Sequence, residues 1–403
     1  MKIINKQSGE VSFFVLIFAT LLFTIVTISF VRIMIQNQQQ SSAVDLSVSA
    51  YDSAQAGVED AKRALIQWKT ACTTDSSSIE CTELTAVFST EPINQDCNAG
   101  VSKLTDISLI GNEVKIKTGA NNSLDQAYTC VKINTITDEY LGDLNQDASI
   151  LIPLLGTSDF DTVKIEWFNS KDYICPPTNP GCSPGNIDLP STSDLPLLSN
   201  LSWASLPGLN RPAIMRSQLI QFNTAGYKLT DFDGGPSVVN GSNNTHFLYP
   251  STINGVSSFA TDGRLTIKNE PTKVECKSSL ATVDYACSAT IKLPIASLGN
   301  DHAQYLNLTS LYRKSNFKVT LWNSPSPTIP VKFNGVQPSI DSTGRANELF
   351  KRIETRVVFI NEGFPFPQGA IDLNGNFCKN FSVTDIAFPG IGSGSDNTCN
   401  PQY

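Results

Sequence analysis

The spacing of hydrophobic and polar positions changes character twice along the chain. From Val11 to Val31 the residues VSFFVLIFATLLFTIVTISFV carry no charge, and the run matches the about 20 residues a helix needs to cross a hydrocarbon layer. Farther on, Val44, Val48, Tyr51, Ala54, Val58, Ala61, Leu65 and Trp68 recur at spacings of three and four, with Asp45, Asp52, Gln55, Glu59, Lys62 and Arg63 between them. That spacing predicts an amphipathic helix. Between Ser12 and Lys69 only Gly57 weakens the helix, by about 1 kcal/mol, so the two parts are expected to form one helix of about 85 Å at roughly 1.5 Å per residue. After Trp68 the helical period gives way to short alternating or β-branched runs. They are 113–118, 128–134, 149–153, 162–168, 215–222, 264–268, 287–293, 317–322, 331–333 and 354–360. Gly, Asn, Pro and Asp clusters separate them, the pattern of antiparallel sheets or sandwiches.

The reading is therefore an α+β chain: a long N-terminal helix followed by a mostly antiparallel β head in two lobes. Its expected divisions are a leader at 1–9 and a helix at 10–68, with a membrane part at 11–31 and an amphipathic part at 40–68. A first β region at 69–174, a proline-rich connection at 175–212 and a second β region at 213–403 follow. Eight prolines crowd between Cys175 and Pro212, which excludes a central strand there. Lys2 and Lys6 precede the apolar run and Arg32 follows it, so the excess of positive charge places the N-terminus in the cytoplasm and the remainder outside. A cleaved secretory signal is the competing reading, but the run exceeds the usual h-region of about 7 to 15 residues and no A-x-A site follows.

Composition supports an exported head. Charged residues make up 16% of the 403, and 29 basic against 37 acidic residues leave a net charge of −8, which argues against gripping nucleic acid over the whole surface. Ten cysteines beside only two histidines point to disulfides rather than metal or thiol chemistry. All ten lie after Trp68. The simplest pairing joins neighbours: Cys72 with Cys81, Cys97 with Cys130, Cys175 with Cys182, Cys276 with Cys287, and Cys378 with Cys399. No C-x-x-C occurs, so a common zinc site is not indicated.

The first seventy residues resemble a type IV prepilin. The features that carry the resemblance are a basic leader ending in Gln7-Ser8-Gly9, then Glu10, an uncharged stretch and an amphipathic helix. The stretch Ala50-Tyr51-Asp52-Ser53-Ala54-Gln55-Ala56-Gly57-Val58-Glu59-Asp60-Ala61 is similar to the alanine-rich helix of pilus-tip minor pilins. Tyr128 to Val131, Leu349 to Glu354 and Phe377 to Phe381 are similar to segments of large, cysteine-rich minor pilins of small-genome epibiotic bacteria. The resemblance implies a prepilin peptidase cutting after Gly9, methylation of the new amino group on Glu10, and assembly into a filament, or a related pseudopilus, through packed N-terminal helices. It also implies partners in other pilin subunits and in the inner-membrane assembly machinery. A C-terminal loop bounded by Cys378 and Cys399 would match the disulfide-bounded loop of many such subunits. The sequence departs from the family pattern at the first mature residue, which is rarely Glu, and at the fifth, where Phe14 replaces the usual glutamate.

Candidate chemistry is sparse. His246 and His302 stand in no H-E-x-x-H, and no G-x-S-x-G elbow or phosphate-cradling loop is present. Asp231 and Asp233 precede two glycines and read as a turn before they read as a glycosidase pair. Asp143, Asn145 and Asp147 have the alternate-oxygen spacing of a calcium loop, but Ala148 stands where an EF-hand needs glycine, and a polar turn is the simpler reading. Asp372-Leu373-Asn374-Gly375-Asn376 reads as a hairpin turn, and Leu189 to Ser193 lacks the rest of a sortase signal. Asn-x-Ser/Thr triplets begin at Asn121, Asn200, Asn240, Asn243, Asn307 and Asn380, which keeps a eukaryotic anchored ectodomain among the alternatives. The expected function is structural and non-enzymatic, needing no cofactor: a minor pilus subunit whose head contacts a surface, a host cell or another subunit. The alternatives are a permanently anchored adhesin or lectin-like ectodomain, and an extracellular hydrolase.

Overall fold

The computed structural model describes residues 9–116, 125–174, 187–189, 203, 210–221, 245–251, 258–259, 272–297, 304–323 and 330–358. In chain order, α1 (Gly9–Thr74) and α2 (Ile79–Phe88) precede β1 (Val114–Lys115), β2 (Gln126–Thr137), β3 (Tyr140–Leu144), β4 (Ser149–Pro153) and β5 (Phe160–Asn169). Then come β6 (Ile214–Gln221), β7 (Thr245–Ser251), β8 (Ser258–Phe259), β9 (Thr272–Glu275) and β10 (Tyr285–Ser297). The last are β11 (Gln304–Leu311), β12 (Ser315–Trp322), β13 (Pro330–Val331), β14 (Phe333–Ala346) and β15 (Leu349–Arg356).

The chain divides into two compact units, and the first is discontinuous: 1–134 together with 339–356. The second is 135–338 with 357–403, and its 135–338 part is inserted in sequence between the two parts of the first. This division differs from the expected lobes at 69–174 and 213–403. Residues 175–212 connect β5 to β6 within the second unit.

The first unit is built on α1, 66 residues without an internal proline and about 100 Å long. A four-stranded sheet of order β1-β2-β14-β15 belongs to it. The helical period does not end at Trp68. α1 runs on to Thr74, and α2 follows with Cys81, Leu84 and Phe88 buried on one face. Ser78 caps α2 by accepting the Cys81 N–H at 3.2 Å, and Trp68 meets Phe88 edge-to-face at 5.9 Å.

Strand β2 pairs with β1 only at Tyr128 and Ala127, and side chains replace a strand beyond that point. Asn98 Oδ1 accepts the Val131 N–H at 2.9 Å, and its Nδ2 donates to Thr129 O and Asn112 O. Gln95 Oε1 accepts the Ile133 N–H at 2.8 Å while Nε2 donates to Ile133 O and Val87 O. Both side chains are buried, so they supply the partners that buried backbone groups require.

The second unit is mostly antiparallel β in two sheets. One has the order β13-β12-β5-β10-β8, with β3 also on β12, and the other the order β4-β11-β6-β7-β9. Among the described residues of this unit, β8 on β10 and β9 on β7 pair in parallel. One core is shared by the two sheets: Val163, Ile165, Trp167, Phe317 and Val319 from the first, with Ile152, Met215, Leu248 and Leu308 from the second.

Three of the five expected disulfides fall within the described residues and are formed: Cys72–Cys81, Cys97–Cys130 and Cys276–Cys287. Cys175, Cys182, Cys378 and Cys399 lie outside them, as do the leader through Ser8 and the expected strand 264–268.

Candidate functional site

The first half of α1 is a single apolar cylinder. Phe13, Phe14, Leu16, Phe18, Leu22, Phe23, Ile28 and Phe30 are each more than half exposed and point in all directions around the axis. An 18-residue stretch of the helix has a mean hydropathy of 2.6, and by length and composition the helix is sufficient for one membrane crossing. The hydroxyls inside it do not break the apolar surface. Thr20, Thr24, Thr27 and Ser29 donate to carbonyls three or four residues back at 2.8 to 2.9 Å, so their O–H groups need neither water nor a partner helix. Gly9 and Glu10 begin the helix, and Phe14 is 62% exposed on it.

The second half does the opposite: it is one-sided and lies against the sheet of its own unit. Ala50, Ser53, Ala54, Ala61, Ala64 and Leu65 are essentially inaccessible, with Gly57 and Val58 between them. The small side chains let the two backbones approach. A Cβ on Gly57 would run into Ser342 Oγ and come within 2.8 Å of Val131 Cγ2. On the facing strand, a Cβ on Gly344 would land on Ala54 N and Ala50 O in the helix backbone itself. Ser342 Oγ donates to Ala54 O at 2.7 Å, and Tyr128 OH donates to Asp60 Oδ2 at 2.8 Å. Val44, Val48 and Tyr51, expected on the packed face, are half or more exposed: the first two precede Ala50, where the packed face begins, and Tyr51 lies off the buried stripe of Ala50, Ala54, Val58 and Ala61.

Near the start of this contact four charges form a network. Arg345 grips Glu113 with two N–H···O bonds of 2.6 and 3.1 Å and reaches Asp125 Oδ2 at 2.8 Å, while Lys115 holds Asp125 Oδ1 at 2.7 Å. The hydrogen bonds from Lys115 and then Arg345 bring the Asp125 carboxyl down to about 2, and Arg345 holds Glu113 below its ordinary value. Both shifts are depressions, so their contribution to stability is present above the unfolded carboxylate range near pH ~4 and is lost as pH falls toward 2. Thermal unfolding of the full chain in lipid nanodiscs should therefore show a larger drop between pH 5 and pH 2.5 than the Arg345→Gln variant shows. Equal drops would contradict this.

The remaining sequence candidates are dispersed. Asp143 lies in β3 one residue before its end, and Asn145 and Asp147 sit in the connection to β4. Asp147, at φ 58°, accepts the Tyr312 N–H at 3.1 Å through Oδ1 and the Gln146 amide through Oδ2, the contacts of a polar turn. Among the described residues no three His, Cys, Asp or Glu side chains cluster as metal ligands do. His246 is buried in β7. Asn307 is 2% exposed within β11, so the folded chain offers no glycan acceptor there. His302, Asp231, Asp233, 190–193, 372–376 and the triplets at Asn121, Asn200, Asn240, Asn243 and Asn380 lie outside the described residues. One buried carboxylate that the sequence reading passed over, Asp172, is 4% exposed. It is committed to the Asn169 N–H, the Asn316 N–H and the Asn316 amide, and burial raises its pKa.

No family model, curated protein or solved structure matches this chain. The element with a surface that its own fold leaves uncovered is thus the strongest functional feature: an apolar helix end, continuous with a helix clamped onto a disulfide-bonded β unit.

Proposed function

We propose that the chain is a minor subunit of a type IV pilus or related pseudopilus, cut after Gly9 by a prepilin peptidase and assembled through the apolar half of α1. The observation that carries the reading is the division of labour within one unbroken helix. From Phe13 to Val31 it is uncharged and exposed all round, and from Ala50 onward a small-residue face fixes it to the unit it carries. An all-round apolar helix is stable in lipid and equally stable among identical neighbours, so one element serves both a membrane-held precursor and a filament core. The cytoplasmic membrane, with the N-terminus inside, and then an extracellular filament are the two locations of this reading. The β head is the part presented for adhesion or for starting assembly, and no catalysis is assigned to it.

The fifth mature residue sets the position in the filament. A carboxylate in an apolar bundle is costly unless paired, so a subunit that carries one gains from docking against a neighbour's amine. Phe14 makes no such pair, and a second unit inserted into the head adds bulk that a repeating shaft must accommodate. A tip location with few copies follows. Quantitative mass spectrometry and immunogold labelling of sheared filaments should find this chain rare and near one end. Abundant copies along the shaft would refute the tip assignment.

A further inference from the structure

The second unit carries a cleft of about 430 Å³, within the range of small-ligand sites, that no feature of the helix reading uses. One wall is the loop closed by Cys276–Cys287, which supplies Val283, Asp284 and Tyr285. The opposite side comes from Glu139 and Leu141 at the start of β3, and from Lys318 on β12.

The loop has no regular secondary structure over most of its length, yet it is held at several points. Besides the disulfide, Leu280 is 9% exposed and plugs into the shared core, the Lys277 N–H donates to Ala286 O at 2.8 Å, and Ser278 O accepts the Ile187 N–H at 3.0 Å. An irregular loop fixed in advance forms a binding wall without a further ordering cost when a ligand arrives.

The lining selects the ligand by elimination. Glu139 and Asp284 repel an anion. Lys318, whose ammonium stands 5.1 Å over the Tyr285 ring and 2.9 Å from Glu166 Oε2, opposes a compact cation. Burial, the largest single influence, lowers the Lys318 pKa, but the Glu166 hydrogen bond together with the charges of Glu166 and Glu139 and the Tyr285 hydroxyl outweighs it, and the group stays charged. A wholly apolar ligand would strip water from these charges with nothing in return. A neutral polyol satisfies all of them, its hydroxyls donating to the carboxylates and accepting from the ammonium while its C–H face lies on Leu141 and Val283.

We infer that this cleft binds a neutral saccharide, with Asp284 and Glu139 accepting from its hydroxyls and Lys318 donating to them. The inference deepens the reading of the head as a contact surface, but its test requires no filament. Full-length protein in phosphatidylcholine nanodiscs is applied to a printed array of neutral and sialylated oligosaccharides, and hits are titrated in solution by saturation-transfer NMR. Saturable binding of neutral oligosaccharides is expected, weakened at least tenfold by Asp284→Ala and by Glu139→Ala. Glu83→Ala, in the first unit, should leave it unchanged. Absence of any neutral hit, a preference for the sialylated probes, or full binding by Asp284→Ala would overturn the inference. Such a failure leaves N-terminal processing and filament incorporation to be judged separately, since those are read from the other end of the chain.

Discussion

Replacing Gly344 with valine is expected to unfold the first unit or detach its helix. The strand carrying Gly344 lies so close to α1 that any Cβ meets the helix main chain at Ala50 and Ala54, and a backbone cannot move aside as a flexible side chain can. Overpacking into a yielding core costs about 1 to 3 kcal/mol, and this position should exceed the upper figure. The change would also break the neighbouring bond from Ser342 Oγ to Ala54 O, which needs the same close approach. Hydrogen–deuterium exchange of the full chain in nanodiscs checks this. Peptides covering 126–134, 339–356 and 50–68 should lose protection, whereas those covering 160–169 and 315–322 keep it. Unchanged protection at 50–68 would mean that the helix is not held by this contact.

The second large effect is expected at Cys97–Cys130. It closes the longest of the three described loops, with a separation of 33 against 9 and 11 for the others, and chain-entropy reasoning makes such a closure worth about 3 to 4 kcal/mol. Position adds to length here. Cys97 sits between Gln95 and Asn98, the two side chains that stand in for a strand along β2. Freeing this segment exposes the Val131 and Ile133 N–H groups as well as enlarging the unfolded ensemble. The Cys97→Ser/Cys130→Ser pair should therefore lower the unfolding midpoint more than Cys72→Ser/Cys81→Ser does. Calorimetry giving the reverse order would contradict the role assigned to the segment.

How much of this was legible in the sequence follows from the range of the forces involved. The long helix was readable because apolar positions repeat within a few residues and nothing but Gly57 interrupts them. The neighbour pairing of cysteines was readable for a similar reason, since local hairpins and turns bring such residues together, as at Cys276 and Cys287 on either side of one loop. Strands with plain alternation, such as β4 and β12, also stood out.

What escaped notice depended on distant partners. β14 contains Gly335, Pro338 and Gly344, which read locally as turn residues, yet Gly344 is there because a helix nearly three hundred positions away requires its missing side chain. The insertion of the second unit was hidden for the same reason, since β2 and β14 are neighbours in the sheet and far apart in sequence. α2 did leave a signal: Ser78 as a cap, followed by Cys81, Leu84 and Phe88 at helical spacing. The cleft beside Tyr285 left none, because its residues come from β3, the β5 turn, a disulfide loop and β12.

The proposed pilus role turns on the N-terminus of the mature chain. Intact-mass and peptide mass spectrometry of the protein from sheared filaments and from membranes tests it most directly. The expected result is a filament-borne chain that begins at Glu10 with a methylated amino group and lacks residues 1–9. A chain that retains Met1 in both fractions, or one found only in the membrane and never in filaments, would contradict it and leave a permanently anchored ectodomain in its place.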